Sequence, residues 1–164
     1  MNTDHASPAL QLDVLLYQPE IPPNTGNAIR LCANTGARLH LIKPLGFELE
    51  DKQLRRAGLD YHEYATLQVH ESLQAALAMI APQRLFALST RGTQRYDQPR
   101  YRSGDAFLFG PETRGLPAYV LENLPAEHRL RLPMRPGNRS LNLSNSIAVV
   151  VFEAWRQMDF AGGA

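Results

Sequence analysis

The stretch LDVLLYQPEIPPNTGNAIRLCANTGARLHLI, residues 12–42, decides the fold that the sequence predicts. Two short apolar runs that favour β-strands, Leu12–Tyr17 and Arg38–Ile42, flank a helix candidate at Thr25–Thr35, which stops at Gly36. Both runs are nearly continuous in apolar residues, as is typical of strands buried on both faces of a parallel sheet. A strand–helix–strand unit of this kind predicts an α/β fold.

The rest of the chain repeats the alternation. Further strands are predicted at 67–70, 84–89, 106–109 and 130–132, and further helices at 51–57, 72–81, 117–124 and 143–158. Ligands of α/β sheets bind beyond the carboxyl ends of the strands. We therefore expect any chemistry in the loops that follow Tyr17, Leu88, Phe109 and Leu132.

Composition excludes several classes of protein. The 164 residues are 44% hydrophobic, enough for one domain with a core, which we expect over 12–158 between a flexible polar tail at 1–11 and a C-terminal tail at 159–164. The longest apolar stretch, around 146–155, is about half of what a bilayer span needs, and the first residues lack the features of a secretory signal. The single cysteine, Cys32, excludes a disulfide framework and fits a reducing cytoplasm.

Charge is distributed unevenly along the chain. The net charge is +1, but residues 84–139 hold ten arginines and five acids, so this segment carries +5 and the remainder −4. Arginine presents a planar fork that suits phosphate. Codon bias in a GC-rich genome is the preferred explanation for the excess of arginine over lysine. The clustering of arginine in one segment instead indicates that this segment binds nucleic acid.

The loop QPEIPPNTGNAIR, after the first strand, leads into the first helix. Backbone N–H groups at a helix N-terminus attract anions, and Arg30 lies one turn in, where it could reach a phosphate or a ribose. Spacing alone favours a simpler interpretation, in which Asn24 or Thr25 is an N-cap and Arg30 is a solvated helix residue.

Two further loops are rich in polar groups. The loop GPETRGL, after Phe109, places Glu112 at the mouth of the sheet. The segment LPMRPGNRSLNLSNSIAV puts small polar side chains at the head of a very apolar helix. Buried polar groups are costly unless they meet partners, so this second set is either a capping cluster or part of a ligand site.

Other chemistries lack support. The eleven glycines contain no G-x-G-x-x-G fingerprint and no P-loop, which argues against an ordinary dinucleotide enzyme, an NTPase and a methyltransferase with the usual glycine-rich first turn. The five histidines show no metal-ligand spacing, so we expect no metal site. A nucleophile elbow is missing, and Cys32 is interpreted as a buried core thiol.

In chain order, the segments NTGNAIR, FGPETRGL and LPMRPGNRSLNLSNSIAV resemble the three motifs of the SPOUT family of RNA methyltransferases. Residues 12–47 and 55–64 are similar to its minimal-length bacterial branch, the tRNA (cytidine/uridine-34) 2′-O-methyltransferases, and the resemblance runs from about Leu12 to Gln157. It implies an α/β-knot fold, with a mostly parallel sheet flanked by helices and a C-terminal trefoil knot.

The resemblance also implies a cofactor and partners. These are S-adenosyl-L-methionine, the anticodon loop of tRNA, and a second copy of the chain in a homodimer that shares the substrate site between subunits; a membrane and a metal are not implied. The apolar side chains of the last helix could serve that dimer or the core, namely Ile147, Val150, Val151 and Trp155.

Particular residues take roles by the same resemblance. The cofactor should be bordered through the backbone of Leu88, Gly110 and Leu132, and the pocket should be closed by Ser140, Leu141 and Asn142. The polar motif positions nearest the reaction should be Asn24, Arg30, Glu112 and Asn142. Contacts to RNA are expected from Arg91, Arg95, Arg135 and Arg139, with Arg55 and Arg56 as further candidates.

The implied reaction is methyl transfer to a ribose 2′-hydroxyl, for which the family assigns Arg30 as the activator. Arginine stays protonated to a pKa above about 12, so Arg30 is better suited to binding the adjacent phosphate while another group or water takes the proton. Two alternatives stay open: ribose methylation at another position of tRNA or ribosomal RNA, and a non-catalytic nucleotide-binding α/β module.

Overall fold

Seven parallel strands form a single sheet. In the computed structural model, which describes residues 10–164, the strands are β1 Asp13–Tyr17, β2 Arg38–Ile42, β3 Gln68–His70, β4 Arg84–Leu88, β5 Gln94–Arg95, β6 Asp105–Phe109 and β7 Arg129–Arg131. They lie in the order β3-β2-β1-β6-β4-β7-β5, and every neighbouring pair is parallel. The predicted α/β class and parallel sheet are confirmed.

In the described part of the chain, six α-helices flank the sheet: α1 Pro22–Thr35, α2 Asp51–Arg56, α3 Tyr61–Tyr64, α4 Leu73–Ile80, α5 Ala118–Glu122 and α6 Leu143–Gln157. Capping boxes begin α2 and α3, and a single side-chain cap begins α4 and α6. Ser72 accepts a hydrogen bond from the N–H of Ala75 at α4, and Asn142 accepts one from the N–H of Ser144 at α6. None of the helices within residues 10–164 combines the length and the apolar character that crossing a bilayer requires.

Both faces of the sheet are buried. Because successive strand residues point to opposite faces, Val14 and Leu16 pack with α1 and α6 on one face, while Leu15 and Tyr17 pack toward α4 and α5 on the other. This arrangement is the physical reason for the continuous apolar runs in the sequence.

The first helix begins at Pro22, three residues before the predicted start. Proline fits the first turn of a helix, where its missing N–H would have no partner. Ile21 is the N-cap, so the interpretation of Asn24 or Thr25 as the cap is wrong, and both lie inside the helix. The short elements α3 and β5 were not predicted.

The apolar side chains of α6 serve the core. Ile147, Val150 and Val151 are fully buried, whereas Val149 and Phe152 are the exposed apolar residues of this helix. Trp155 donates its indole N–H to the carbonyl of Ala161 at 2.9 Å, so the segment after α6 folds back on the helix.

The segment after β4 runs close beside β7. The N–H groups of Ser89 and Thr93 donate to the carbonyls of Leu130 and Arg129, and a Cβ at Gly92 would lie 2.3 Å from the carbonyl oxygen of Leu130. Only glycine allows this approach. The trefoil knot implied by the resemblance stays a prediction.

The predicted N-terminal tail ends at Gln11, which the structure describes. The predicted tail at residues 1–11, and His5 within it, lies mostly outside the described residues. Gln11 has both backbone groups hydrogen-bonded, to the hydroxyl of Ser103 at 2.9 Å and to the N–H of Gly104 at 2.7 Å. The ordered fold therefore includes this residue.

Candidate functional site

A cavity of about 470 Å³ opens at the carboxyl ends of β4, β6 and β7. We call it the strand-end cavity. Its walls include five of the predicted cofactor positions: Leu88, Gly110, Leu132, Ser140 and Leu141. Leu88, Gly110 and Leu132 converge because the carboxyl ends of parallel strands meet at one edge of the sheet, and the loop before α6 brings Ser140 and Leu141 to them.

The loop after β6 forms one wall through a tight turn. The N–H of Gly115 donates to the carbonyl of Pro111 at 3.0 Å. A Cβ at Gly110 would lie 2.5 Å from the backbone nitrogen of Leu116. A side chain at Gly110 would therefore displace this wall of the cavity.

A reciprocal clamp joins the loops after β1 and β6. The carboxylate of Glu112 accepts from the N–H groups of Glu20 at 2.7 Å and Ile21 at 3.3 Å. In return, the carboxylate of Glu20 accepts from the N–H and the hydroxyl of Thr113, which lower the pKa of Glu20 below its ordinary value. The clamp fixes the start of α1 beside the strand-end cavity. Glu112, which the resemblance placed near the reaction, is thus engaged in the clamp, and the carboxylate partner of Arg30 is Glu63.

Asn24 and Asn142 meet between α1 and α6. The amide N–H of Asn142 donates to Oδ1 of Asn24 at 2.9 Å, while its own Oδ1 accepts from the N–H of Ser144. Asn24 is buried, so this bond satisfies a group that would otherwise be costly. Capping therefore explains part of the polar cluster at the head of α6.

Arg30 lies in a different place from the predicted cofactor residues. Its guanidinium donates to Glu63 at 3.0 Å and to the carbonyl of Gly58. Glu63 raises the pKa of Arg30 above its already high ordinary value, and Arg30 lowers the pKa of Glu63. The guanidinium therefore stays protonated and cannot accept a proton.

Arg30 lines a second cavity, of about 340 Å³, between α1 and the segment 47–59. We call it the α1–α2 cavity. It shares no lining residue with the strand-end cavity. Asn24 bonds to Asn142 and Glu112 bonds to the backbone just before α1, whereas the hydrogen bonds of Arg30 within residues 10–164 go to Glu63 and Gly58.

The predicted RNA-binding arginines fall into three environments. Arg91 lines the strand-end cavity, Arg135 and Arg139 are exposed in the loop before α6, and Arg95 pairs with Asp97 on the surface. Two other arginines of the basic segment support the fold instead. Arg84 pairs with the fully buried Asp105 at 2.7 Å, and Arg129 donates to the carbonyl of Leu124 at 2.7 Å.

Several contributing residues were not expected from the sequence. Glu20, Thr113 and Glu63 bind partners at least 33 residues away, so no local pattern identifies them. Glu63 also lies near Asp60 and His62, with one ligand atom of each within 4.8 Å of the others, but it is already engaged by Arg30. Burial raises the pKa of Cys32 to about 12, as befits a core thiol.

Comparisons with known proteins agree on one family. A model described as the SpoU rRNA Methylase family matches residues 11–152. A tRNA (cytidine(34)-2'-O)-methyltransferase of Methylovorus glucosotrophus is 67% identical over 150 residues, which are 92% of this chain and 97% of that protein.

Two solved structures share the fold. One, described as giving insights into the 2-OH methylation of C/U34 on tRNA, has a TM-score of 0.82 at 46% identity and covers 92% of this chain and 97% of that one. The SpoU methyltransferase AviRb of Streptomyces viridochromogenes, solved with the cofactor AdoMet, has a TM-score of 0.76 at 21% identity and covers 93% of this chain and 58% of that one.

Proposed function

The chain belongs to the SpoU rRNA methylase family, and on that premise we propose that it transfers a methyl group from S-adenosyl-L-methionine to the ribose 2′-hydroxyl of nucleotide 34 in the tRNA anticodon loop. The observation that carries the choice of substrate is the near full-length identity of 67% to an enzyme named for cytidine 34. The two cavities on either side of the start of α1 agree with a reaction that brings two ligands together.

The strand-end cavity fits the cofactor. Its 470 Å³ lies within the roughly 300–1,000 Å³ of ligand pockets, and its walls combine several leucines with residues 109–116 of the loop after β6. When bound, S-adenosyl-L-methionine supplies a methyl group that is already activated by its sulfonium. Leu88, Gly110 and Leu132 would border the adenosine, and Ser140, Leu141 and Asn142 would close the pocket.

Arg30 serves the substrate. Because Glu63 and Gly58 hold its guanidinium in place, Arg30 is oriented to bind the phosphate beside the reacting ribose and to polarise the hydroxyl. The hydroxyl proton passes to water or to another group, since Arg30 is already protonated. Alignment of the reacting atoms can supply on the order of 7–11 kcal/mol in well-oriented systems.

A homodimer would bring Arg30 to a cofactor. Arg30 does not line the strand-end cavity of its own protomer, and exposed apolar side chains such as Ile21, Leu141, Val149 and Phe152 remain available for a second copy. Mixed dimers of an Arg30→Ala chain and a Gly110→Val chain test this arrangement. A shared site restores activity to the mixture, whereas a site within one protomer does not.

Nucleoside mass spectrometry tests the reaction. The protein is incubated with S-adenosyl-L-methionine and tRNA from a strain that lacks the gene, and the digest is searched for 2′-O-methylcytidine and 2′-O-methyluridine derivatives. We expect a gain confined to anticodon-loop fragments, from RNA bound through phosphate contacts of Arg91, Arg95, Arg135 and Arg139. A gain elsewhere keeps the enzyme class and overturns the position.

Two further features accompany this proposal. We propose that the protein acts in the cytoplasm, where its tRNA substrate would be, and its single free cysteine fits that reducing compartment. From the family resemblance we also propose that the C-terminal part of the chain is threaded as a trefoil knot.

A further inference from the structure

The carboxylate of Glu63 in the one-turn helix α3 bonds to two different helices. Its Oε1 accepts from the N–H of Asp60, which begins α3, at 2.9 Å, and its Oε2 accepts from the Nε–H of Arg30 in α1 at 3.0 Å. The side chain of Glu63 is 11% exposed, whereas that of Arg30 is 52% exposed. The guanidinium therefore reaches the surface, while the carboxylate behind it is largely shielded from water.

The first of these bonds does not need a charged residue. At the start of α2, the side-chain amide oxygen of Gln53 accepts from the N–H of Glu50 at 3.0 Å. Glu63 occupies the same third position of the capping box in α3. Glutamine and glutamate both serve at that position. Capping of α3 therefore does not explain the negative charge of Glu63.

Packing does not explain the charge either. Leu59 and Tyr64, which lie before and after Glu63 in the chain, are buried in the same core cluster as Ile29 of α1. These apolar contacts hold α3 against α1. An ion pair whose arginine is half exposed adds little to stability. The charge of Glu63 thus has no sufficient reason in the fold.

We propose that Glu63 is a positioning residue for the methyl transfer, which acts by holding Arg30 in one orientation. This inference rests on the proposed function and deepens it. Glu63 and the carbonyl of Gly58 bind the guanidinium edge formed by Nε and Nη2. Because the hydrogen bonds of Arg30 within residues 10–164 go to these two groups, Nη1 keeps both of its N–H groups for the substrate. Two contacts on one edge fix the plane of the guanidinium.

The opposite role for the same pair would be a lock that keeps Arg30 away from RNA. In a lock, the groups that bind substrate are covered by the partner. Here the partners of Arg30 take one edge, and half of the side chain stays exposed. The geometry therefore favours orientation over inhibition, and the two roles predict changes of opposite sign in turnover.

Removing the charge alone is the first test. Glu63→Gln keeps an acceptor for the N–H of Asp60, so the melting temperature should change by no more than about 2 °C. Turnover should fall about tenfold or more, since small misplacements of a group that acts at the reacting atoms are costly. The KM for RNA should stay within about threefold, because Arg30 and its charge remain. Glu71→Gln, which removes the charge of an exposed partner of Lys43, is the matched control and should leave kcat unchanged. Unchanged or higher kcat in Glu63→Gln would overturn the inference.

Rescue with a free cation is the second test, and a purely structural role would not affect it. Ethylguanidinium replaces the side-chain atoms that Arg30→Ala removes, and Glu63 and Gly58 should hold it in the same place. Its addition should raise the turnover of Arg30→Ala about fivefold or more, but that of the double variant Arg30→Ala/Glu63→Gln less than about twofold. Ethylurea, which has a similar shape but no charge, should rescue neither variant. Equal rescue of the single and double variants by ethylguanidinium, or rescue of neither, would contradict the proposed role.

Nuclear magnetic resonance separates this inference from the proposed function. The Nε–H signal of Arg30, assigned by its loss in Arg30→Ala, should exchange with water more slowly in the unsubstituted protein than in Glu63→Gln, and this measurement needs no RNA. Equal exchange would show that Glu63 does not hold Arg30. If the unsubstituted protein methylates tRNA and Glu63→Gln does so equally well, the inference fails alone. If the unsubstituted protein methylates no RNA, the proposed function and the role of Glu63 fail together.

Discussion

The strand-end cavity and the α1–α2 cavity lie on either side of the start of α1 but are built differently. The first is shaped by backbone: the turn at Gly110 and the loops that the Glu112–Glu20 clamp holds together. The second lies between α1, α2 and the loop 47–49, with Arg30 fixed by Glu63. Backbone walls suit a ligand that never varies, such as a cofactor, whereas side chains decide which substrate is accepted.

The largest effect should come from Arg30. Arg30→Ala should lower methylation by about 10²-fold or more, the scale expected for a charged donor that stabilises a transition state, while the affinity for S-adenosyl-L-methionine stays within twofold. Turnover assays and calorimetric titration measure the two quantities. Lys52→Ala removes an exposed positive charge from α2 and serves as the control. Equal loss of methylation and cofactor binding would erase the distinction between the cavities.

The next effect should come from Gly110. A methyl group there would lie 2.5 Å from the backbone nitrogen of Leu116, so Gly110→Ala should shift the turn and weaken cofactor binding at least tenfold. Gly26→Ala adds the same methyl group to the other cavity without a clash, so its cofactor affinity should stay within twofold. Equal cofactor affinities in the two variants would show that the wall at Gly110 is not rigid.

The sequence predicted the strand-end cavity better than the α1–α2 cavity, and the reason is geometric. Leu88, Gly110 and Leu132 follow parallel strands, so local pattern and sheet topology suffice to bring them together. The partners of Arg30 come from the region around α3, a four-residue helix that the sequence did not predict. Glu63 lies 33 residues away along the chain from Arg30, and only tertiary packing brings them into contact.

The start of α1 shows a second limit. Two consecutive prolines suggested a loop, but they occupy the first turn of the helix. Because the helix begins earlier than predicted, Asn24 is not a cap but a buried residue inside α1, and its partner is Asn142 of the loop before α6. That partner lies 118 residues away, so no local spacing could have identified it.

The clamp couples the two cavities, so its removal should affect both by a smaller factor. Glu112→Gln retains one acceptor oxygen but cannot accept from both Glu20 and Ile21. We expect about three- to tenfold losses in both cofactor affinity and methylation, the scale of about 1 kcal/mol for a hydrogen bond. Thr113→Val, which breaks the reverse bond to Glu20, should reproduce this pattern. Loss of only one property would indicate that the clamp belongs to one cavity.

The smallest effect should come from His70: its protonation should change the stability of the fold and leave both cavities unchanged. His70 is buried against His40, whose other nitrogen meets Asp13 at 2.8 Å, and Asp13 also pairs with Arg38. Burial, together with the nearby His40, lowers the pKa of His70 below its ordinary value of about 6.5.

The unfolded chain therefore binds more protons than the folded one below pH 6.5, and the free energy of unfolding should fall as the pH drops from 7 toward 5. The slope contributed by one group cannot exceed about 1.4 kcal/mol per pH unit. His70→Gln keeps a donor near His40 but does not titrate, so urea unfolding of this variant should show a shallower slope. Cofactor affinity should depend on pH in the same way in both proteins, because His70 lines neither cavity. A difference between the two proteins in that dependence would mean that protonation of His70 alters the strand-end cavity. The cavities would then not be independent of the cluster of His70, His40 and Asp13.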